Sequence, residues 1–140
     1  MAKIAFLGLG VMGYPMAGHL SAAGHDVTVA QHGGALAKTP RLACEGADFV
    51  MACVGNDNDL RGVCLGEDGA FGGMAGGSIF VDHTTVSAAV TRALYEAAET
   101  REIAFIDAPL SGGQGGAESG QLSVMCGGDQ APYEKAAPVI

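Results

Sequence analysis

Tryptophan is absent from these 140 residues, and aromatic side chains of any kind make up only 6%. A core without large rings is filled by aliphatic side chains and alanine, packed closely against backbone. Charge is scarce as well: Asp, Glu, Lys and Arg together are 16% of the chain, with 7 basic residues against 15 acidic ones. The net charge of −8 excludes nucleic acid as the main partner, because phosphate backbones are held by basic surfaces. Any anion bound here is held by local N–H groups and not by the overall field. Cys44, Cys53, Cys64 and Cys126 form no C-x-x-C pair, and His19, His25, His32 and His83 fall at no zinc spacing. No metal site is expected, and the thiols read as reduced, buried or incidental, as in a cytoplasmic protein. No apolar run reaches membrane-spanning length, and the apolar part of MAKIAFLGLG is too short for a signal peptide, so no membrane partner is expected.

What the chain does have is apolar residues, 49% of the total, and 23 glycines that cluster at turns without a collagen-like period. Its length is that of one domain with a real core. The stretch from Lys3 to Gly24 organises the rest. An apolar run, Ile4 to Leu7, meets Gly8-Leu9-Gly10-Val11-Met12-Gly13, and a helical pattern follows with Met12, Met16, Leu20 and Ala23 on one face. Gly24 stands where a helix C-cap would. Strand, glycine turn and helix together are the context that the dinucleotide fingerprint G-x-G-x-x-G requires. Gly8 permits the tight turn, Gly10 lets backbone approach a pyrophosphate, and Gly13 lets the helix pack on the strand. The free N–H groups of the first helical turn then face the anion.

Downstream, His25 to Ala30 reads as a second strand, and Ala35-Leu36-Ala37 as a short strand-like run. Arg41 to Gly46 reads as a brief helix, and Ala47 to Val54 as a strand buried on both faces. Asp57 or Asn58 caps a helix to about Leu65; Gly66 to Gly77 is a loop with a helical turn; Ser78 to Asp82 is a strand. Thr85 or Ser87 caps the next helix, in which Val90, Leu94, Ala97 and Ala98 recur at helical spacing. Ile103 to Asp107 is a strand, Ser111 to Gly120 a glycine-rich loop, Leu122 to Cys126 a strand, and Asp129 caps a last helix disturbed by Pro138. Strands alternating with helices predict a Rossmann-like doubly wound α/β fold with a mostly parallel sheet. The carboxyl edge of such a sheet gathers Gly8–Gly13, Val54–Asn56, Thr84–Thr85 and Ser111–Gly113. Asp82 and Asp107 end strands, where loop hydrogen bonding is preferred to a general-acid role, and nothing beside His83 supports a proton relay.

GLGVMGYPMAGHL, DHTTVS and DAPLSGGQGGAESGQLSVMCGGD resemble, in that order, the N-terminal, middle and substrate-loop signatures of the β-hydroxyacid dehydrogenase family, which includes 3-hydroxyisobutyrate dehydrogenase and tartronate semialdehyde reductase. The resemblance covers residues 1–140. It implies NAD or NADP as cofactor and hydride transfer between a small 3-hydroxy acid and its semialdehyde. By position it implies Gly8, Leu9, Gly10, Val11, Met12 and Gly13 at the pyrophosphate, and Val54 and Gly55 along the passage from adenosine to nicotinamide. It places Thr85 beside the nicotinamide ribose and substrate, and Ser111, Gly112 and Gly113 at the substrate carboxylate. A glycine loop suits an acid substrate because its N–H groups are unobstructed neutral donors. Each has a plainer alternative: Thr85 as a helix cap, Ser111 as a turn terminus, Val54-Gly55 as a strand end.

Two departures from the family pattern stand out. The family's proton-donating lysine, with a companion asparagine, belongs to a second, all-helical domain that residues 1–140 do not contain, and homo-oligomers would form through that domain. A catalytically silent dinucleotide-binding scaffold of the same fold is the alternative to an enzyme. After Ala30 the family has a turn and helix that contact the adenosine ribose, but here Gln31 to Gly34 lead straight on. Parallel neighbours need a crossover of about a dozen residues, so the chain is expected to lack roughly 10–20 residues of crossover near Ala30 to Gly33, and NAD is not distinguished from NADP.

Overall fold

A computed structural model describes residues 1–30 and 37–140. The strand-like run at Ala35-Leu36 and the break expected in the backbone between Ala30 and Gly34 lie outside the described residues; Ala37 belongs to no strand. Five parallel strands form the central sheet: β1 (Lys3–Leu7), β2 (Asp26–Ala30), β3 (Phe49–Ala52), β4 (Ile79–Asp82) and β5 (Ala104–Asp107), in the order β2-β1-β3-β4-β5. The order confirms the Rossmann-like α/β reading. β2 and β3 flank β1 on opposite sides.

Helices cover both faces. On one, α2 (Pro40–Cys44), α3 (Asp57–Leu65), the single turn α4 (Ala70–Gly73) and α5 (Ala88–Glu99) pack on Ala5, Leu7, Val50, Ala52, Phe80 and Phe105. On the other, α1 (Gly13–Ala22) and α7 (Gln130–Ala136) pack on Ile4, Phe6, Met51, Ile79, Val81 and Ile106. Alternate residues of one strand thus serve opposite layers, as expected of strands buried on both faces. The few aromatic rings are concentrated: Phe80 lies edge-on to Phe71 at 5.4 Å between centroids and stacks on Phe105 at 5.5 Å.

The helix ends explain several differences from the pattern reading. Gly24, at φ +90°, follows the last turn of α1; its N–H donates to Ser21 O at 3.0 Å and that of His25 to Leu20 O at 3.2 Å, a Schellman ending. The deeply buried face of α1 is Gly13 and Ala17, with Met16 and Leu20 only half-buried and Ala23 exposed. Small residues set the approach of helix to sheet, and the larger apolar side chains flank it. Asn56, one residue earlier than expected, caps α3 by accepting from Asp59 N at 2.9 Å. Asp57 reaches across instead to Ser87, accepting from its N–H at 2.9 Å and its hydroxyl at 2.6 Å. Of the two caps considered for α5, the structure selects Ser87, which accepts from Val90 N at 3.2 Å. Asp129 begins α7, yet its carboxylate accepts from the Tyr95 hydroxyl at 2.8 Å and caps nothing.

The expected loop from Ser111 to Gly120 is largely α6 (Gly113–Ser119), preceded by β6 (Leu110–Ser111) and followed by β7 (Ser123–Val124), which pair antiparallel. Three glycines inside a seven-residue helix give it low intrinsic propensity, which is why its sequence reads as a loop. It is held at its C-terminal end: Gly120 ends it in the left-handed region at φ +68°, and the His19 ring nitrogen Nε2 lies 2.9 Å from Ala117 O and 3.1 Å from Glu118 O. With carbonyls as its partners that nitrogen donates. Ala117, fully buried, anchors the middle.

The aromatic triad makes the core's dependence on one ring measurable. Phe80→Ala is expected to lower unfolding free energy by about 3–5 kcal/mol, read as a fall in the urea midpoint with an unchanged slope.

Candidate functional site

β1 sits between β2 and β3, so the loops leaving β1 and β3 diverge at the carboxyl edge and open a crevice there. A groove of about 1040 Å³ occupies the place. Gly8, Gly10, Val11, Met12 and Gly13 line one wall and Val54 and Gly55 the other. Leu9 turns away and packs in the opposite layer.

The three fingerprint glycines are required for different reasons. Gly8 has φ +95°, and a Cβ there would stand 2.3 Å from Cys53 O. At Gly13 a Cβ would stand 1.9 Å from Gly8 O and 3.0 Å from the Phe6 ring, so helix and strand touch through bare backbone. Gly10 is different: a Cβ would meet nothing within 4 Å, and its φ is ordinary. No contact within the fold requires glycine at 10. Among the described residues, no acceptor is hydrogen-bonded to the N–H groups of Val11, Met12 or Gly13. Free donors at the start of the ten-residue α1, beside an open glycine, fit a pyrophosphate.

The far wall is tied to β4. Val54 N–H donates to Thr84 Oγ1 at 3.1 Å, and Thr84 N–H donates to Asp82 Oδ1 at 2.9 Å. Asp82 is 1% exposed, and its Oδ2 has no hydrogen-bond partner among the described residues. Burial pushes its pKa up to about 6, against the pull of Thr84, with the charge of Asp107 adding a smaller push. Loop hydrogen bonding, the reading preferred for this carboxylate, is what the geometry shows. His83 is buried with Nδ1 2.9 Å from Ala108 O, and burial lowers its pKa, so it is a neutral imidazole bracing β4 against the β5 loop. Its neighbours again form no relay.

Thr85 is exposed and caps nothing, which removes the plainer reading of it as a helix cap. Ser111 is exposed in β6 opposite Ser123, and Gly112 and Gly113 follow with φ +134° and +62°, conformations that favour glycine. Thr85 and Ser111–Gly113 leave the same sheet edge as the groove but are not among its lining residues. The hydroxyl that does bond the groove wall is that of Thr84, which the pattern placed at this edge without giving it a role. The signal was present: an Asp with a Thr two residues on is the spacing of an Asx-turn. Burial holds the thiols of Cys44 and Cys64 well up, the first to about 12, so these two are inert core residues.

A glycine-turn groove at the switch point of a parallel sheet defines a dinucleotide-binding domain. Residues 3–140 match the family model for the NAD binding domain of 6-phosphogluconate dehydrogenase. An uncharacterised oxidoreductase of Shewanella frigidimarina is 56% identical over 100% of this chain and 52% of its own length. The 3-hydroxyisobutyrate dehydrogenase of Pseudomonas aeruginosa is 36% identical over 100% of this chain and 51% of its own. The solved structure of Mycobacterium tuberculosis 3-hydroxyisobutyrate dehydrogenase with L-serine superposes with a TM-score of 0.90 at 33% identity, covering 99% of this chain and 50% of that one. The chain belongs to the β-hydroxyacid dehydrogenase family, as its NAD(P)-binding domain. Its cofactor is NAD or NADP, and it spans about half the length of the curated relatives it matches.

The buried carboxyl gives the domain a pH signature. Asp82 holds its proton more tightly folded, at about 6, than at its ordinary 3.8, so its contribution to stability is greatest below about 3.8 and is lost as pH rises through about 6. Comparing urea unfolding of the native protein and Asp82→Asn between pH 4 and pH 7 is expected to show this loss, at most about 3 kcal/mol, only where the carboxyl is present.

Proposed function

We propose that this domain serves an NAD(P)-dependent oxidoreductase that interconverts a small 3-hydroxy acid and its semialdehyde. The observation that carries the reading is the open backbone at Gly10 between the free N–H groups of α1 and the Val54–Gly55 wall, with the glycine-rich α6 loop leaving the same sheet edge. When bound, the nicotinamide supplies or accepts the hydride. In this reading Val11, Met12 and Gly13 hold the pyrophosphate by their N–H groups, and Val54 and Gly55 border the passage toward the nicotinamide. Thr85 lies beside the ribose and substrate. The Ser111 hydroxyl and the N–H groups of Gly112 and Gly113 fix the substrate carboxylate, so that its β-carbon faces the hydride. The names of the relatives, among them 3-hydroxyisobutyrate dehydrogenase, support this substrate class and favour an enzyme over a silent scaffold.

In the same reading the proton-donating lysine and the surface for homo-oligomers lie in the other half of a protein of the relatives' length. The 140 residues by themselves are expected to bind the dinucleotide but to reduce semialdehydes negligibly, because general acid catalysis is commonly worth about 10²–10⁴-fold. We also propose that a crossover-sized segment is missing after β2. The alignment with the Shewanella protein runs over 152 positions, 12 more than the 140 residues of this chain, and that surplus supports the reading. Resequencing the coding DNA through codons 30–40 tests it; an uninterrupted reading frame with the same codons overturns it.

Two comparisons test the site. Gly10→Ala is expected to leave stability within about 1 kcal/mol while weakening NADH binding at least tenfold, whereas Gly13→Ala should destabilise by about 1–3 kcal/mol or more through overpacking against Gly8. Equal affinity in Gly10→Ala and the native protein would place the dinucleotide elsewhere. In a protein of the relatives' full length, Ser111→Ala is expected to raise KM for the semialdehyde by about 10- to 100-fold, the worth of one hydrogen bond to a charged group, with NADH affinity unchanged. Weakened NADH binding in that variant would put Ser111 in the dinucleotide site.

A further inference from the structure

The peptide that forms the far wall of the groove is not held by its own strand. β3 ends at Ala52, and the N–H of Val54 turns instead to the Thr84 hydroxyl at 3.1 Å. A hydroxyl has one hydrogen and can swing it to any nearby acceptor. Here the residue that carries it is fixed from the other side, because the Asp82 carboxyl accepts the Thr84 N–H at 2.9 Å, and the hydroxyl oxygen so placed accepts from Val54. The three groups are buried or half-buried, Thr84 being 4% and Asp82 1% exposed, so water competes little for these bonds. The backbone that carries the carboxyl is held in turn: the Asp82 main-chain carbonyl accepts from Ala108 N–H at 2.7 Å and the His83 N–H donates to Ala52 O at 2.8 Å, which locks β4 between β3 and the β5 loop. Burying a carboxyl costs free energy, and an apolar residue at the end of β4 would pack without that cost. Its presence is accounted for by what it orients.

We infer that Asp82 is a positioning residue for the dinucleotide groove: by accepting the Thr84 N–H it places the Thr84 hydroxyl, which fixes the Val54–Gly55 peptide at the distance from Gly10 that the bound cofactor needs. The inference rests on the assignment of the groove to the dinucleotide. Neither Asp82 nor Thr84 touches the cofactor in this arrangement. Their effect is to keep the wall from relaxing outward, so that the binding energy is not spent on ordering it.

The test uses the full chain and NADH, with affinity from calorimetry and folding checked by urea unfolding. Thr84→Val, nearly isosteric, is expected to weaken NADH about five- to tenfold, the equivalent of one hydrogen bond of about 1 kcal/mol. Thr84→Ser keeps the hydroxyl and is expected to stay within about twofold of the native protein. Asp82→Ala is expected to weaken binding several-fold, and the double variant Asp82→Ala with Thr84→Val to match Thr84→Val alone, because both changes act on one path. Additive losses, or a Thr84→Ser protein as weak as Thr84→Val, overturn the inference, since a merely structural role would give either. Should Thr84→Val fail to fold, amide exchange at Val54 decides: exchange faster in Asp82→Ala than in the native protein supports the inference, and equal exchange overturns it. Amide shifts on adding NADH separate the two readings. If Gly10–Gly13 shift while affinity ignores Asp82 and Thr84, only the positioning role falls; if none of Gly8–Gly13 or Val54–Gly55 shifts, the groove assignment falls with it.

Discussion

The closest constraint in this molecule is backbone against backbone, where the start of α1 meets the end of β1. No side chain fits between Gly13 and the Gly8 carbonyl, and none fits between Gly8 and the Cys53 carbonyl. Those two contacts set the height of α1 above the sheet and the separation of β1 from the loop after β3. The rest of the carboxyl edge follows from them. With β1 and β3 drawn together and their loops diverging, a groove must open above them, and the first N–H groups of α1 must point into it.

The two layers on either side are built differently, and each suits its neighbour. The layer of α2 to α5 carries the Phe71, Phe80 and Phe105 cluster and encloses two inert thiols. The layer of α1 and α7 holds Phe6 of β1, with Ala17 and Ala136 as the buried helical contacts and Met16 and Leu20 beside them. The helices of this second layer come close to the sheet because their contact residues are small.

Much of this architecture was legible in the amino-acid pattern. Glycine spacing after Ile4–Leu7 located the turn and helix, and the continuous apolar run around Val50 identified a strand covered on both faces. What escaped the pattern was decided by contacts across the chain. α6 looks like a loop because its glycines are poor helix formers, and it is helical because Ala117 is buried and His19, 98 residues away in sequence, takes its last carbonyls. Asp57 was one of two candidate caps for α3, yet it bonds Ser87, 30 residues on, while Asn56 caps the helix. The family resemblance pointed to Thr85 of the Thr84-Thr85 pair, and it is Thr84 that bonds the groove wall. Local preference places elements; which of two neighbouring polar side chains turns inward is settled by tertiary packing.

The bonds from His19 to the end of α6 join two parts that would otherwise be independent, because α1 presents the glycine turn to the groove and α6 follows Ser111–Gly113. A ligand that draws α6 inward must either break those bonds or pull α1 with it. Thermodynamic linkage then requires the converse: whatever settles α1 also settles α6, by the same free energy. The imidazole is in that sense a mechanical tie rod, and its length limits how far one glycine loop can travel while the other is held still.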